Sequence, residues 1–259
     1  MNLHYFRPST VIDNCQNEGL ITVADAGRLG NQMCQYATLM ATSKLINATP
    51  VISYRMSKIL TKVFPNLTIP VLNCSQSLNW TYTNEDELKT LDPSISRGQN
   101  IFIEGFPAEL PLFHPYRQTV LQEFKFHLGL EESAKQFLRQ VAQDTGAEIF
   151  VGMHVRRSDY AVFLKRTYNG RLLSKKYFME AKSFLQQKIL NSKIVFIVAS
   201  DDHKWCQEMF ANQNDVKMTN FDNSAELDLA ILSQCDHSII RLVFLYVNTS
   251  KPFVTYGLQ

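Results

Sequence analysis

The sequence lacks the short motifs by which many enzymes are recognised. Its 259 residues contain no C-x-x-C pair, no D-x-D triplet, no Walker loop, no H-E-x-x-H helix and no G-x-S-x-G elbow. These absences argue against a zinc site of the usual spacing and against a nucleotide held through a divalent metal on an acidic triplet. They also argue against a P-loop, a zinc protease and a serine hydrolase of the elbow type.

Charge and long apolar runs are also scarce. Charged residues make up 19% of the chain and its net charge is +2, so the composition gives no support for nucleic acid or an anionic membrane as a partner. No run of about 18 apolar residues occurs, and residues 1–10 have no apolar signal-peptide segment. Apolar residues at 45% are typical of a globular protein, and the length fits one large domain or two smaller ones.

Cysteines and asparagines bear on the cellular compartment. The five cysteines are an odd number, so at least one thiol is free or pairs outside the chain. N-x-S/T sequons occur repeatedly and cluster between residues 66 and 81, which favours a lumenal route. The sequon asparagines are Asn47, Asn66, Asn73, Asn79 and Asn248.

Strand and helix patterns predict an α/β protein with parallel sheets. The predicted strands lie at 20–24, 51–53, 101–103, 148–155, 193–199 and 238–240. The predicted helices lie at 31–46, 131–144, 174–190, 203–210 and 225–234. Residues 61–100 contain several prolines and are predicted to be an irregular surface excursion. The second half predicts a doubly wound sheet, and the boundary between the halves is placed near residue 146.

A pair of arginines follows the predicted strand at 148–155. His154, Arg156 and Arg157 stand at its carboxyl end, which is where parallel sheets bind ligands. Adjacent arginines at the end of an apolar strand are costly unless they meet anions, and the guanidinium fork matches a diphosphate. Asp159 is placed to orient one of them. The alternative is a purely structural Arg–Asp pair at the strand end.

Polar residues also follow two other predicted strands. Gly27 and Gly30 allow the chain to turn sharply and approach a ligand. Asn31 is expected to cap the helix that follows, whose free N–H groups attract phosphate or sugar hydroxyls. The alternative is an ordinary strand-to-helix turn. After the strand at 193–199, Ser200 or Asp201 is expected to cap the next helix, and Asp201 alternatively to contact a nucleotide ribose or base.

Together these segments resemble the alpha-1,2-fucosyltransferase family of animals and bacteria, glycosyltransferase family eleven. The stretch G-R-L-G-N-Q-M followed by Y-A resembles the family's N-terminal signature, and H-V-R-R-S-D-Y resembles its H-x-R-R-x-D-Y motif. F-I-V-A-S-D-D-H-K-W-C and D-L-A-I-L-S-Q-C-D-H-S-I resemble two further family motifs. Because the motifs keep the family's order over residues 21–240, the chain is identified as a member.

The resemblance implies a GT-B-like α/β fold, with two Rossmann-like parallel-sheet halves facing a cleft. Residues 1–146 would form the acceptor-side half and residues 147–259 the GDP-fucose-binding half. The implied activity is that of a galactoside 2-alpha-L-fucosyltransferase. It would transfer L-fucose from GDP-fucose to the 2-hydroxyl of a terminal galactose on a glycan, with inversion and without a metal or other cofactor. The resemblance implies location in the Golgi lumen or Golgi membrane, and a role in protein glycosylation and carbohydrate metabolism.

The resemblance also assigns roles to residues. Arg156 would contact the donor β-phosphate, Asn31 would lie near the fucose and the phosphates, and Asp159 would complete the reaction centre. The implied donor-binding residues are His154, Arg157, Gly27, Arg28, Gly30, Ser200 and Asp201. An inverting displacement also needs an acceptor for the hydroxyl proton, and Asp25, Glu104 and Asp159 are open alternatives.

Both ends of the chain depart from the family pattern. Residues 241–259 do not contain the S/G-T-F-x-W-W segment that normally follows the C-D-H-S-I motif and helps to build the phosphate pocket. The membrane helix of an animal member is also missing, so membrane attachment would use an anchor outside this chain. We therefore expect a form truncated at both ends, with an incomplete C-terminal half. The alternative function is a catalytically impaired GDP-sugar- or glycan-binding remnant; transfer to protein serine or threonine, or to a core N-glycan, fits the motifs less well.

Overall fold

The computed structural model describes residues 10–13, 18–73, 78–88, 98–108 and 110–240. The chain divides into two compact units, and within the described residues the division falls between His127 and Leu128. Each unit is built around a parallel β-sheet. No helix in the described ranges is both long enough and apolar enough to cross a bilayer.

The first unit is assembled from short strands and a few helices. Its strands are β1 Val11–Ile12, β2 Leu20–Val23, β3 Thr49–Pro50, β4 Val71–Leu72, β5 Thr81–Thr83 and β6 Ile101–Ile103. Its helices are α1 Leu29–Ile46, α2 Tyr54–Leu60, α3 Glu85–Leu88, α4 Leu110–Phe113 and α5 Arg117–Glu123, with a 3-10 turn at His114–Tyr116. Strands β3, β2, β6 and β5 lie side by side in that order, and β1 pairs separately with β4.

Helix α1 lies at the centre of the first unit. It carries no charged side chain before Lys44, and most of its residues are buried because other elements surround it. The buried Tyr36 hydroxyl donates to Glu123 of α5, and Glu123 also accepts the Thr68 N–H at 3.0 Å. Burial, together with the Glu123 charge, raises the pKa of Tyr36, so its hydroxyl remains a donor. This buried network ties α1, α5 and the segment before β4 together.

The second unit is a doubly wound sheet with helices on its faces. In chain order its elements are α6 Leu128–Thr145, β7 Ile149–Val155, α7 Tyr160–Tyr168, α8 Lys175–Lys188, β8 Ile194–Ser200, α9 His203–Phe210, β9 Val216–Met218, α10 Ala225–Ser233 and β10 His237–Ile239. The parallel strand order is β10, β7, β8, β9. Strands β7 and β8 are largely apolar because α8 and α9 cover one face of the sheet and α10 packs on the other.

The long elements of the second unit confirm the sequence predictions. The strands predicted at 148–155 and 193–199 are β7 and β8, and the helix predicted at 174–190 is α8. The unit boundary, however, lies before α6, whereas the sequence placed it near residue 146. Helix α6 packs against α10, so it belongs with the second sheet although it precedes the first strand of that sheet.

The first unit departs further from prediction. The strand predicted at 51–53 is instead β3, at Thr49–Pro50, and Ile52 forms an isolated bridge to Val71. Pro50 is tolerated because β3 is the edge strand of its sheet. The prediction that residues 61–100 form an irregular surface excursion is wrong, since β4, β5 and α3 lie there and side chains such as Phe64 and Leu72 are buried. These elements have two to four residues, too few to show a hydrophobic period.

Candidate functional site

The two arginines lie at the carboxyl edge of the second sheet, as predicted. Val155, the last residue of β7, pairs with Ser200, the last residue of β8. The residues after both strands therefore leave the sheet side by side. Arg156 and Arg157 follow β7, and Asp201 follows β8.

Asp201 joins these two loops. One of its carboxylate oxygens accepts the backbone N–H of Arg157 at 2.7 Å, and the other accepts the Ser158 hydroxyl at 2.5 Å. Burial disfavours ionisation of Asp201, but the hydrogen bonds from Ser158 and Arg157 outweigh it and lower the pKa of the carboxyl group. Asp201 thus holds the arginine loop through its backbone. The expected cap of α9 is not Asp201 but Asp202, whose carboxylate accepts the Trp205 N–H at 3.1 Å.

Arg157 is held on two sides. Its Nε donates to Asp202 at 3.2 Å, and its guanidinium carbon lies 3.8 Å from the centre of the Trp205 ring. The stacked geometry suits a planar cation on an indole face. Its side chain is 21% exposed, which leaves part of the guanidinium group open to a ligand.

Arg156 points to a different partner. Its Nη2 lies 3.1 Å from both carboxylate oxygens of Asp159, and its guanidinium carbon lies 5.5 Å from the centre of the Tyr160 ring. Asp159 is 48% exposed, so this ion pair is accessible to solvent and to a competing anion. Asp159 is thus paired with Arg156, a contact that fits both the orienting role and the purely structural pair.

His154 is the last residue but one of β7, and Ser200 is the last residue of β8, so both precede the loops that carry the arginines and Asp201. Desolvation of the partly buried imidazole and the neighbouring Arg156 charge lower the pKa of His154 to about 4, against the opposing effect of Asp201. His154 is therefore neutral near pH 7. Ser200 is buried, and its hydroxyl accepts the Asp202 N–H at 3.0 Å, so it helps to shape the turn into α9.

The glycine turn of the first unit has its own geometry. Gly27 has a φ of +82°, and a Cβ at this position would lie 2.6 Å from Asn31 Nδ2. The prediction that Asn31 caps α1 is wrong: the exposed Arg28 is the N-cap residue, without a side-chain cap, and Asn31 is the third residue of the helix. Gly30 also lies within the first turn of α1. Asn31 instead packs against the face of Gly27.

Gln32 and Asp25 complete the surroundings of this turn. The Gln32 side-chain amide donates to the carbonyls of Asp25 at 2.5 Å and Ala26 at 3.1 Å, which fixes the chain between β2 and α1. The Asp25 carboxylate accepts the Ser53 hydroxyl at 2.6 Å and lies 3.7 Å from Arg55 Nη1. Gln32 stands in the quoted G-R-L-G-N-Q-M segment but received no role from the sequence, because its bonds depend on where the loop carbonyls point.

The candidate proton acceptors are distributed between the units. Asp25 and Glu104 belong to the first unit and follow β2 and β6, whereas Asp159 belongs to the second and is paired with Arg156. Within the described ranges, no three His, Cys, Asp or Glu side chains cluster as a metal site would require. Four of the sequon asparagines are exposed, at positions 47, 66, 73 and 79, and Asn248 lies outside the described residues.

Several residues around the arginines were missed by the sequence reasoning. Trp205 and Asp202 stood in a quoted motif but received no role, and their contacts with Arg157 depend on the pairing of β7 with β8. Asp228 lies in the first turn of α10 and was not singled out by the sequence. Burial raises its pKa, against hydrogen bonds from Asn223 and Thr219, so it is a partly buried acid beside the turn that follows β9.

Comparison with known proteins decides the family. The family model described as Glycosyl transferase family 11 matches residues 5–244. The chain belongs to glycosyltransferase family 11. Galactoside alpha-(1,2)-fucosyltransferase 2 of Hylobates lar is 30% identical over 246 residues, which cover 90% of this chain and 69% of that protein. The Bos taurus protein of the same name is 31% identical over 242 residues, covering 91% and 69%.

Solved structures with the same fold are fucosyltransferases. POFUT1 in its apo form aligns with a TM-score of 0.57 at 14% identity, over 95% of this chain and 100% of that one. A variant of Arabidopsis thaliana FUT1 in complex with GDP aligns with a TM-score of 0.53 at 11% identity, over 90% and 67%. At these identities the likeness concerns the fold, which is the predicted GT-B-like α/β arrangement with parallel sheets. The assignment to family 11 from four sequence motifs is also confirmed.

Proposed function

We propose that this family 11 chain transfers L-fucose from GDP-fucose to the 2-hydroxyl of a terminal galactose on a glycan, inverting the configuration and using no metal. The observation that carries the proposal is the arginine edge of the second sheet. There, Arg156 and Arg157 follow the end of β7, which lies beside the end of β8. Named relatives of the chain in its family are galactoside alpha-(1,2)-fucosyltransferases. Related folds in complex with GDP support the donor class.

Arg156 is proposed to bind the donor β-phosphate. Its present partner, Asp159, is a solvent-accessible carboxylate, so a diphosphate with more charge can share or replace that contact. Arg157 is fixed by Asp202 and Trp205 and presents its remaining N–H groups to the same anion. Because both cations are positioned before the donor arrives, little reorganisation is needed when charge develops on the leaving group.

The reaction is a displacement at the anomeric carbon of fucose. The acceptor oxygen forms a bond to that carbon on the side opposite the phosphate, the carbon–oxygen bond to GDP breaks, and GDP leaves with the electron pair. Arg156 stabilises the negative charge that appears on the β-phosphate. The neutral His154 lies two residues before Arg156 and adds no further positive charge to the site. The hydroxyl proton passes to one of the three carboxylates Asp25, Glu104 and Asp159.

Metal independence is proposed from the chemistry of this edge. Two arginines supply the positive charge that a divalent ion would otherwise bring to the diphosphate. The sequence also has no D-x-D triplet to carry such an ion. Location in the Golgi lumen, as part of protein glycosylation, is proposed from the family and is supported by the exposed sequon asparagines at positions 47, 66, 73 and 79.

One sequence feature favours a second candidate function. Residues 241–259 do not carry the S/G-T-F-x-W-W segment, which in the family helps to surround the donor phosphates. A chain without this segment would bind GDP-sugars or glycans and transfer fucose poorly. The two functions differ in turnover and agree in donor binding.

The test measures both quantities on the same protein. GDP binding and fucose transfer to a lactose-type acceptor are measured for the wild type, Arg156→Ala and the control Arg139→Ala, which removes an exposed arginine on α6. We expect Arg156→Ala to lower turnover about a hundred-fold or more and the control to match the wild type. GDP binding without turnover in the wild type supports the binding function instead. A wild type that binds no GDP contradicts both fucose transfer and GDP-sugar binding.

A further inference from the structure

Phe221 is an exposed aromatic residue at the ligand-binding edge of the second sheet. It lies in the turn between β9 and α10 and is 83% exposed, more than the other large apolar side chains described as exposed. The core does not need its ring. Its place after β9 puts it at the carboxyl edge of the sheet, where α/β proteins bind ligands.

The turn that carries Phe221 is held in place. The Thr219 N–H donates to the carbonyl of Val198 in β8 at 2.9 Å, and the Asn223 N–H donates to the carbonyl of Asn220 at 3.1 Å. The Asn223 side chain donates to Asp228 at 2.9 Å, which anchors the turn to α10. Backbone hydrogen bonds on both sides of Phe221 therefore fix its position.

A chain of contacts links Phe221 to the arginines. The imidazole of His203 packs against the Phe221 ring, with centroids 5.4 Å apart and an interplanar angle of 71°. His203 directly follows Asp202, which contacts Arg157. The edge-to-face contact occupies at most one face of the phenyl ring and leaves the other to solvent.

The spacing suits one extended nucleotide. The arginines follow β7 and Phe221 follows β9, with β8 between them. Two strand spacings amount to about 10 Å. A nucleoside diphosphate whose phosphates lie at the arginines reaches with its base across β8 to the end of β9.

We propose that Phe221, supported by His203, is the stacking platform for the purine base of the nucleotide donor and contributes to selection of the donor by its base. The inference rests on the proposed function, since it concerns the same donor. Aromatic rings bind base faces by stacking, and a two-ring purine covers more of the phenyl face than a pyrimidine does. The platform therefore favours GDP over UDP or CDP.

The test separates the base from the phosphates. Dissociation constants for GDP, UDP and inorganic pyrophosphate are measured by calorimetry on the full chain for the wild type, Phe221→Ala and Phe221→Trp. Leu190→Ala is the control, because Leu190 is 71% exposed but precedes β8 and so lies at the opposite edge of the sheet. We expect Phe221→Ala to weaken GDP binding about ten-fold or more, to reduce the preference for GDP over UDP, and to leave pyrophosphate binding unchanged. Phe221→Trp keeps or strengthens GDP binding.

The outcomes distinguish the two proposals. If the wild type binds GDP but Phe221→Ala binds it equally well, the platform is overturned while the donor site stands. If Phe221→Ala weakens GDP and pyrophosphate alike, the ring acts on the phosphate site and the platform is overturned as well. A wild type that binds neither ligand overturns the platform together with the proposed function. Equal melting temperatures of the wild type and the variants show that all are folded.

Discussion

The guanidinium carbon of Arg157 lies 3.8 Å from the centre of the Trp205 indole ring, while Asp202 binds the Nε of the same arginine. Asp202 also accepts the backbone N–H of Trp205, so one carboxylate binds both residues of the stack. The orientation of Arg157 is therefore set within the second unit, without help from a ligand. The two neighbouring arginines differ, because Arg156 instead contacts Asp159 and Tyr160, which follow it closely in sequence.

The stack predicts a graded response to changes at Trp205. Trp205→Phe keeps an aromatic face under Arg157, whereas Trp205→Leu keeps apolar volume without one. We expect Leu to lower kcat/KM several-fold more than Phe, corresponding to about 1 kcal/mol of cation–π energy. Kinetics with varied GDP-fucose checks this ordering, and equal losses in the two variants would show that Trp205 acts through packing alone.

Two glycines with nearly equal backbone angles give a matched test of the turn before α1. Gly27 and Gly105 have φ values of +82° and +80°, but an added Cβ meets Asn31 only at Gly27 and nothing within 4 Å at Gly105. Both alanine variants lose about 1 kcal/mol of unfolding free energy to backbone strain. We expect Gly27→Ala to lose about 1–3 kcal/mol more through the clash. Urea unfolding measures the difference; similar losses would mean that Asn31 moves aside freely.

Two lysine–carboxylate pairs differ mainly in burial. Lys182 Nζ lies 2.5 Å from Asp215 with its side chain 4% exposed, and Lys135 Nζ lies 2.6 Å from Glu131 with its side chain 39% exposed. Lys182→Met keeps apolar volume but leaves Asp215 without its cation, which we expect to cost about 3 kcal/mol of unfolding free energy. Lys135→Met should change stability little, because water screens the surface pair. Chemical denaturation of both variants checks the contrast, and comparable losses would contradict it.

The imidazole of His154 predicts a pH dependence of stability. Its pKa is about 4 in the folded chain, below the ordinary value of 6.5, so the unfolded chain binds its proton first as pH falls. The buried neutral imidazole therefore makes its full contribution to the free energy of unfolding above pH 6.5, and this contribution declines as the pH falls towards 4. Between pH 7.5 and pH 5 we expect the wild type to lose about 2 kcal/mol more than His154→Gln. Urea titrations at the two pH values measure this difference in unfolding free energy. Equal losses in the wild type and His154→Gln would show that the imidazole is solvated.

The sequence was sufficient where a feature depends on neighbours along the chain. The apolar runs of β7 and β8 are long enough to show as buried strands, and parallel pairing then brings Arg156 and Arg157 to the sheet edge. The Arg156–Asp159 pair was also predictable, since its members are three residues apart. Four motifs in order supplied the family.

The remaining features depend on long-range pairing or on single dihedral angles. Asp201 reaches Arg157 across 44 residues of sequence, and only the register of β7 against β8 decides that they meet. The cap of α1 was misassigned because Gly27 turns left-handed and Arg28 is extended, so the helix begins before Asn31. Strands as short as β4 contain too few residues for any periodicity to show.

The Asp201 contact has a consequence for the order in which the protein is made. The arginines leave the ribosome 44 residues ahead of the carboxylate that fixes their loop. A nascent chain that ends before β8 contains both arginines but lacks the strand and carboxylate that fix their loop and the indole ring on which Arg157 stacks. The anion site therefore forms late, when β8 pairs with β7 and Asp201 binds the arginine loop.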